Sequence, residues 1–178
     1  MGVSLGPAGI VGYGSGVTSI IVLSKSHRKW TTSNHAGGFN SWRDAGHGTH
    51  THVKRATSST LAITAHLAAS VAWGTCSGGN HGYLDARLKI TAPNGSVFYS
   101  GESRAWWRID TVTGVSELIQ QVPLEYISAG AEVQQTGTFT ITPQYEYVKT
   151  SGTGMQSAGI NTWGGGSIIE VLELDNQV

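Results

Sequence analysis

Tyr83-Leu84-Asp85-Ala86-Arg87-Leu88-Lys89-Ile90 leads through Ala92-Pro93-Asn94-Gly95 into Ser96-Val97-Phe98-Tyr99-Ser100, and this stretch decides the fold class. Leu84, Ala86, Leu88 and Ile90 alternate with Tyr83, Asp85, Arg87 and Lys89. A period of two places the apolar set on one face of a pleated strand and the polar set on the other, which describes a half-buried strand. Asn-Gly between two such runs is the strongest short hairpin signal. The stretch therefore reads as two antiparallel strands joined by a turn.

Working outward, further strands are expected at residues 19–24, 49–55, 104–109, 115–121, 136–142, 145–149 and 167–174. Leu61, Ile63, Ala65, Leu67, Ala69 and Val71 alternate as well. Their Ala and Leu content would suit a helix, but the β-branched residues and the Ser/Thr-rich start favour a strand. Pro143 falls between two runs and is expected to mark a bend or a sheet edge, because proline cannot donate to a ladder. With 25 glycines punctuating these runs, the pattern predicts an all-β fold, a sandwich or a barrel.

Two runs break the alternation. Ile20, Ile21, Val22 and Leu23 are apolar on both faces, and so is the run carrying Ile168, Ile169, Val171, Leu172 and Leu174. A strand apolar on both faces is covered on both sides. The opposite sheet covers one face, and a second subunit is the economical cover for the other. Residues 1–17 differ from the rest: they are glycine-rich and carry no charged side chain. They are expected to form an extended N-terminal arm held by a partner, ahead of a sandwich over residues 18–178.

Composition excludes several classes. Lys plus Arg and Asp plus Glu are each 11, and only 12% of residues are charged. No basic excess exists for a nucleic-acid partner. Such low charge suits a protein whose faces are covered by neighbours. No apolar stretch is long enough to span a membrane, and the N-terminus lacks the basic-then-apolar pattern of a signal peptide. Met1 reads as a start, so the product is expected to stay in the cytoplasm that made it unless packaged. Cys76 stands alone, so no internal disulfide forms, and without a His/Asn constellation it reads as an unpaired loop thiol.

His47-Gly48-Thr49-His50-Thr51-His52 is the sharpest local feature. His50 and His52, two apart on a strand, share a face and are the candidate metal ligands, for zinc, nickel or iron. The competing reading is a polar, solvent-facing strand with no metal, its rings hydrogen-bonded to Thr49, Thr51 and water. Gly14-Ser15-Gly16 lies in the arm, and Ser26-His27-Arg28-Lys29 lacks the companion motifs of a Ser-x-x-Lys enzyme. The carboxylates mostly alternate along strands, the ordinary place for solvated side chains. Gly12-Tyr13-Gly14-Ser15-Gly16 lacks the lysine and helix of a phosphate loop. No catalytic residue and no cofactor is expected. Trp106 and Trp107 are adjacent, so one serves the core and the other an interface or a sugar ring.

The C-terminal third runs Gly137-Thr138-Phe139-Thr140-Ile141-Thr142, Tyr145-Glu146-Tyr147, Gly159-Ile160-Asn161, then Gly164-Gly165-Gly166-Ser167-Ile168-Ile169-Glu170-Val171-Leu172-Glu173-Leu174. With Ser59-Thr60-Leu61-Ala62-Ile63-Thr64-Ala65 and the 88–101 hairpin upstream in order, it resembles the β-sandwich domains of tailed-phage tail-fibre, collar and head-decoration proteins. Those domains look like the trimeric jelly roll of the tumour-necrosis-factor and complement globular-head group. The resemblance implies an all-β, two-layer antiparallel β-sandwich of jelly-roll type, in a non-enzymatic virion protein, a homotrimer, docked to capsid, collar or tail proteins through the arm. An alternative reading is a carbohydrate-binding module for a host glycan, using the Trp106-Trp107 pair and Tyr145 and Tyr147.

Overall fold

In the computed structural model the alternating runs become strands; it describes residues 10–11, 20–36, 40–73, 76–112, 116–128, 130, 134–151, 155–161 and 165–176. In chain order these are β1 (Ile10–Val11), β2 (Ile20–Trp30), β3 (Asn34–Ala36), β4 (Arg43–Asp44), β5 (His50–Lys54), β6 (Thr60–Trp73) and β7 (Cys76–Thr91). They continue as β8 (Val97–Tyr99), β9 (Ser103–Val112), β10 (Ser116–Ile127), β11 (Gly137–Ser151), β12 (Met155–Ile160) and β13 (Ser167–Asn176). A short 3-10 turn, Gly46–Gly48, separates β4 from β5. No helix among these residues is long and apolar enough to cross a membrane.

The longer strands pair in a nested pattern. β2 pairs with β13, β5 with β11, β6 with β10 and β7 with β9, all antiparallel. Nested pairing is what one long hairpin produces. The hairpin is then rolled, so that β13 also pairs with β6 and β11 with β7. The result is one sheet in the order β2-β13-β6-β10 against another in the order β5-β11-β7-β9, which is a jelly roll. The short strands extend these sheets: β1 on β2, β12 and β3 beyond β6, β4 and β8 on β11 and β7.

The core lies between the sheets. Leu61, Ile63, Ala65 and Leu67 of β6 and Ile169 and Val171 of β13 meet Leu84, Leu88 and Ile90 of β7 and Phe139, Ile141, Tyr145 and Tyr147 of β11, all buried. Each such side chain contributes about 1.5–3 kcal/mol relative to exposure. The run 83–90 divides as its alternation predicts, with one departure: Asp85 is buried too, held by Arg104 through bonds of 2.6 and 2.8 Å. The Asn-Gly turn closes with Gly95 at φ 85° and its N–H on the Ala92 carbonyl at 2.9 Å.

Several expectations need correction. Pro143 marks neither a bend nor a sheet edge: β11 runs unbroken through it, opposite Leu88 of β7. On the other side of β11, β5 leaves after the Ile141–His50 pair and β4 arrives at Gln144–Asp44. The missing N–H falls at this gap, while the Pro143 carbonyl accepts from Ala45 N at 2.7 Å. Cys76 begins a strand instead of lying in a loop, with its backbone opposite Val112. Glu173 is not on a solvated face: it is fully buried, next to a register shift between β13 and β2. β13 thus directs Ser167, Ile169, Val171 and Glu173 inward and leaves Ile168 partly exposed outside. The strands β3, β4 and β12 carry no alternation from which they could have been read.

Candidate functional site

β5 has its polarity reversed. Along its alternation His52 and Lys54 are buried, with His50 half-buried on the same face, while Val53 is 56% exposed on the other, so the histidine face looks inward and not to solvent, and its ring partners are serines instead of Thr49 and Thr51. An inward row of ionisable groups needs partners, because a buried polar group left unpaired is costly. The partners come from the opposite sheet. Ser24 and Ser26 alternate on β2, and Glu173 faces Ser24 across the β2–β13 pair.

Together they form an unbroken chain. Ser26 Oγ lies 2.8 Å from His50 Nε2 and 2.7 Å from His52 Nδ1. Ser24 Oγ lies 3.1 Å from His52 Nε2 and donates to Glu173 Oε2 at 2.8 Å. Glu173 Oε1 accepts from Arg55 N, Ala56 N and Ser59 Oγ at 2.8, 2.9 and 2.6 Å. Because a carboxylate can only accept, the directions follow from one end to the other. Ser24 gives its proton to Glu173 and so accepts from His52 Nε2–H. The bare Nδ1 of His52 takes the Ser26 proton, and Ser26 accepts from His50 Nε2–H. One set of neutral tautomers satisfies every member.

The electrostatics agree. Burial alone would raise the Glu173 pKa, but its hydrogen bonds from Ser59, Ala56, Arg55 and Ser24 win and hold it below the usual carboxylate value. Burial lowers the His52 pKa, against the pull of Glu173 and with the help of Arg55. Burial also lowers that of His50, reinforced by His52, Arg28 and His27. Lys54 donates to the Ala56 and Thr57 carbonyls, and its pKa is lowered by burial although Glu173 opposes the shift.

The structure brings His50 and His52 together as the spacing predicts. His52 has both ring nitrogens within hydrogen-bond distance of serine hydroxyls, so a metal there would have to displace one of them. Among the described residues no group of three or more His, Cys, Asp or Glu is placed to hold a metal ion. The carboxylate reaches a serine instead of an imidazole, which is not the order of a nucleophile–base–acid triad. Sequence reasoning found the histidines and missed Ser24, Ser26 and Glu173. The inward Glu173 between Leu172 and Leu174 was the available signal, had the strand's register been known.

The Trp pair divides as adjacency requires: Trp107 is 4% exposed and Trp106 50%. On the outer face of β7 and β9, Trp106 stacks on Tyr83 at 5.8 Å and the Arg104 guanidinium lies 3.7 Å over Tyr83. Tyr145 and Tyr147 are buried, so they offer no binding surface, and that part of the glycan reading is corrected. A shallow depression of about 350 Å³ lies between the β8–β9 connection and β10, lined by Gly101, Glu102, Ser103, Pro123, Leu124 and Glu125.

No protein-family model matches the chain, and no curated protein does. Among solved structures it is similar to the VP2 subviral particle of infectious bursal disease virus, at 14% identity and a TM-score of 0.47, over 86% of this chain and 34% of that one. It is also similar to structures of the Gx strain (13%, 0.40, 90% and 37%) and the Gt strain (12%, 0.37, 87% and 39%) of the same virus. The chain spans only a little over a third of the length of these chains.

Proposed function

We propose that the chain is a non-enzymatic structural protein of a virus particle, working by assembly. The observation that carries this reading is the placement of large apolar side chains on several sides of one roll. Ile119 and Ile127 on β10 are 48% and 70% exposed, Ile168 on β13 36%, Val53 on β5 56% and Trp106 on β9 50%. A protein working alone tends to keep such surface small and charged, whereas a subunit covered by neighbours does not. The jelly roll is an architecture of capsid and lectin domains, which fits assembly.

Within that reading the chain is a tailed-phage component: a head decoration, a collar or adaptor, or a short tail fibre, forming a homotrimer. Residues 1–17 serve as its docking arm. Of these, Ile10–Val11 pair with Ile20 and Ile21 of β2, and the others lie outside the described residues. Native mass spectrometry at micromolar concentration is expected to give a threefold mass, retained after residues 1–17 are deleted, while incorporation into particles falls. A stable monomer overturns the trimer, and a truncated chain that enters particles normally overturns the arm. A metal bridging His50 and His52 at the trimer axis belongs to this proposal only if tag-free protein carries at least one metal per three chains.

The exposed Trp106 beside Tyr83 favours a second reading, recognition of a host glycan. A glycan array decides it: binding that is lost in Trp106→Ala supports recognition, and a blank array sinks it.

A further inference from the structure

The chain carries as many acidic as basic residues, yet they are sorted between two edges of one sheet. β2 contains Lys25, Arg28 and Lys29 and no acidic residue. β10 contains Glu117 and Glu125 and no basic one. Both strands are edges. Among the described residues β2 pairs with β13 and, only at Ile20 and Ile21, with β1. Among the same residues β10 pairs with β6 alone, from Ser116 to Ile127. We propose that copies of this chain join head to tail, the β2 edge of one copy continuing the sheet at the β10 edge of the next.

Direction, facing and charge agree on this contact. β2, β13, β6 and β10 alternate in direction, so β10 runs opposite to β2. A neighbour's β2, laid beside β10 in the same orientation, is again antiparallel. An edge strand offers its free N–H and C=O groups to such a partner. On β2, Ser24 and Ser26 face inward to the other sheet, which puts Lys25 and Lys29 on the outer face, where both are exposed. On β10, Val122 and Leu124 are buried, which puts Glu125 and Ile127 on the outer face, exposed as well. Continuing the sheet therefore brings the two lysines and Glu125 onto one face. Glu102, exposed where the depression meets Pro123 and Glu125, adds a second carboxylate. Leu118 and Ile119, both exposed, give the contact its apolar surface.

Charge also selects the pairing. Two β2 edges brought together would oppose their lysines, and two β10 edges their carboxylates. Like edges repel and unlike edges attract. Arg104 on the adjoining β9 does not offset this, because Asp85 holds it at 2.6 and 2.8 Å. A contact between two different patches is heterologous, the kind that closes three copies into a ring, whereas an isologous contact joins copies in pairs. The head-to-tail joint thus rests on the homotrimer reading above and supplies its interface.

Ordinary and ¹⁵N-labelled full chains, mixed while dilute, concentrated together and treated with a carbodiimide, test it. The reagent condenses a carboxylate with an amine in contact with it and takes up the water released. Peptides joining a light chain to a heavy one are expected to link a β2 lysine to a β10 carboxylate or to Glu102. The Lys25–Glu170 ion pair within one copy, at 2.5 Å, gives unmixed links and serves as the control. Lys29→Glu and Glu125→Lys should each weaken association about tenfold or more, because each sets like charges against each other across the joint. The double variant, whose edges have exchanged charge, should recover most of that loss. Light scattering over a dilution series measures all three, and if a variant does not fold, the cross-links of the parent chain decide alone. Oligomers whose mixed links join other surfaces only, or that both single variants leave unchanged, overturn the edge assignment and leave the trimer standing. A parent chain that stays monomeric overturns both.

Discussion

Glu173→Ala is expected to lower the unfolding free energy by about 3–5 kcal/mol, the range for removing one partner from a buried charged network. Glu173 has no exposed surface, and its oxygens take hydrogen bonds from Ser24, Arg55 N, Ala56 N and Ser59. Alanine takes the acceptor from Ser24, Arg55 N and Ala56 N, while Ser59 Oγ keeps the Ala56 carbonyl at 2.8 Å, and each unsatisfied buried group costs about 1–3 kcal/mol. It also removes the negative charge near the buried Lys54 ammonium. Glu173→Gln should lose less, because an amide oxygen can still serve Arg55, Ala56 and Ser59 while the NH2 faces Ser24. Denaturant unfolding at pH 7.5 measures both variants. A loss below about 1 kcal/mol for alanine would mean that the loop at 55–59 finds other partners and that Glu173 does not hold it.

The second large effect separates two neighbours. Trp107→Ala should destabilise the chain by about 3–5 kcal/mol, the usual range for emptying a buried tryptophan site. Trp106→Ala should lose only about 0.5–1.5 kcal/mol, the value of its pair with Tyr83. Trp107 is packed between the sheets, whereas half of Trp106 already faces water, so little transfer energy is forfeited there. The same pair of unfolding curves checks this. Equal losses would place both indoles in the core and remove Trp106 from any contact surface. If the Trp106 variant folds normally but fails to enter particles or to bind glycans, the exposed indole is a recognition group.

The sequence by itself determined what depends on local geometry. Side chains on a strand alternate with a period of two, so the faces of residues 83–90, the strand at 61–71, the opposite fates of Trp106 and Trp107 and the shared face of His50 and His52 could all be read directly. The Asn94-Gly95 turn was equally local. Tertiary structure alone decided which strands became neighbours, and with them the site. Ser24 meets Glu173 across 149 positions and Ser59 meets it across 114, separations over which no periodic pattern carries information. Glu173 reads as a solvated acid in isolation. It becomes the buried end of a hydrogen-bond chain because β13 turns its Ser167, Ile169, Val171 and Glu173 face inward and the roll lays β5 over β2. Pro143 shows the same limit. Its missing donor is a local fact, but only the gap between β5 and β4 makes that loss harmless inside a continuous strand. A one-residue change of register reverses every face of a strand, and register is set by partners far away in the chain.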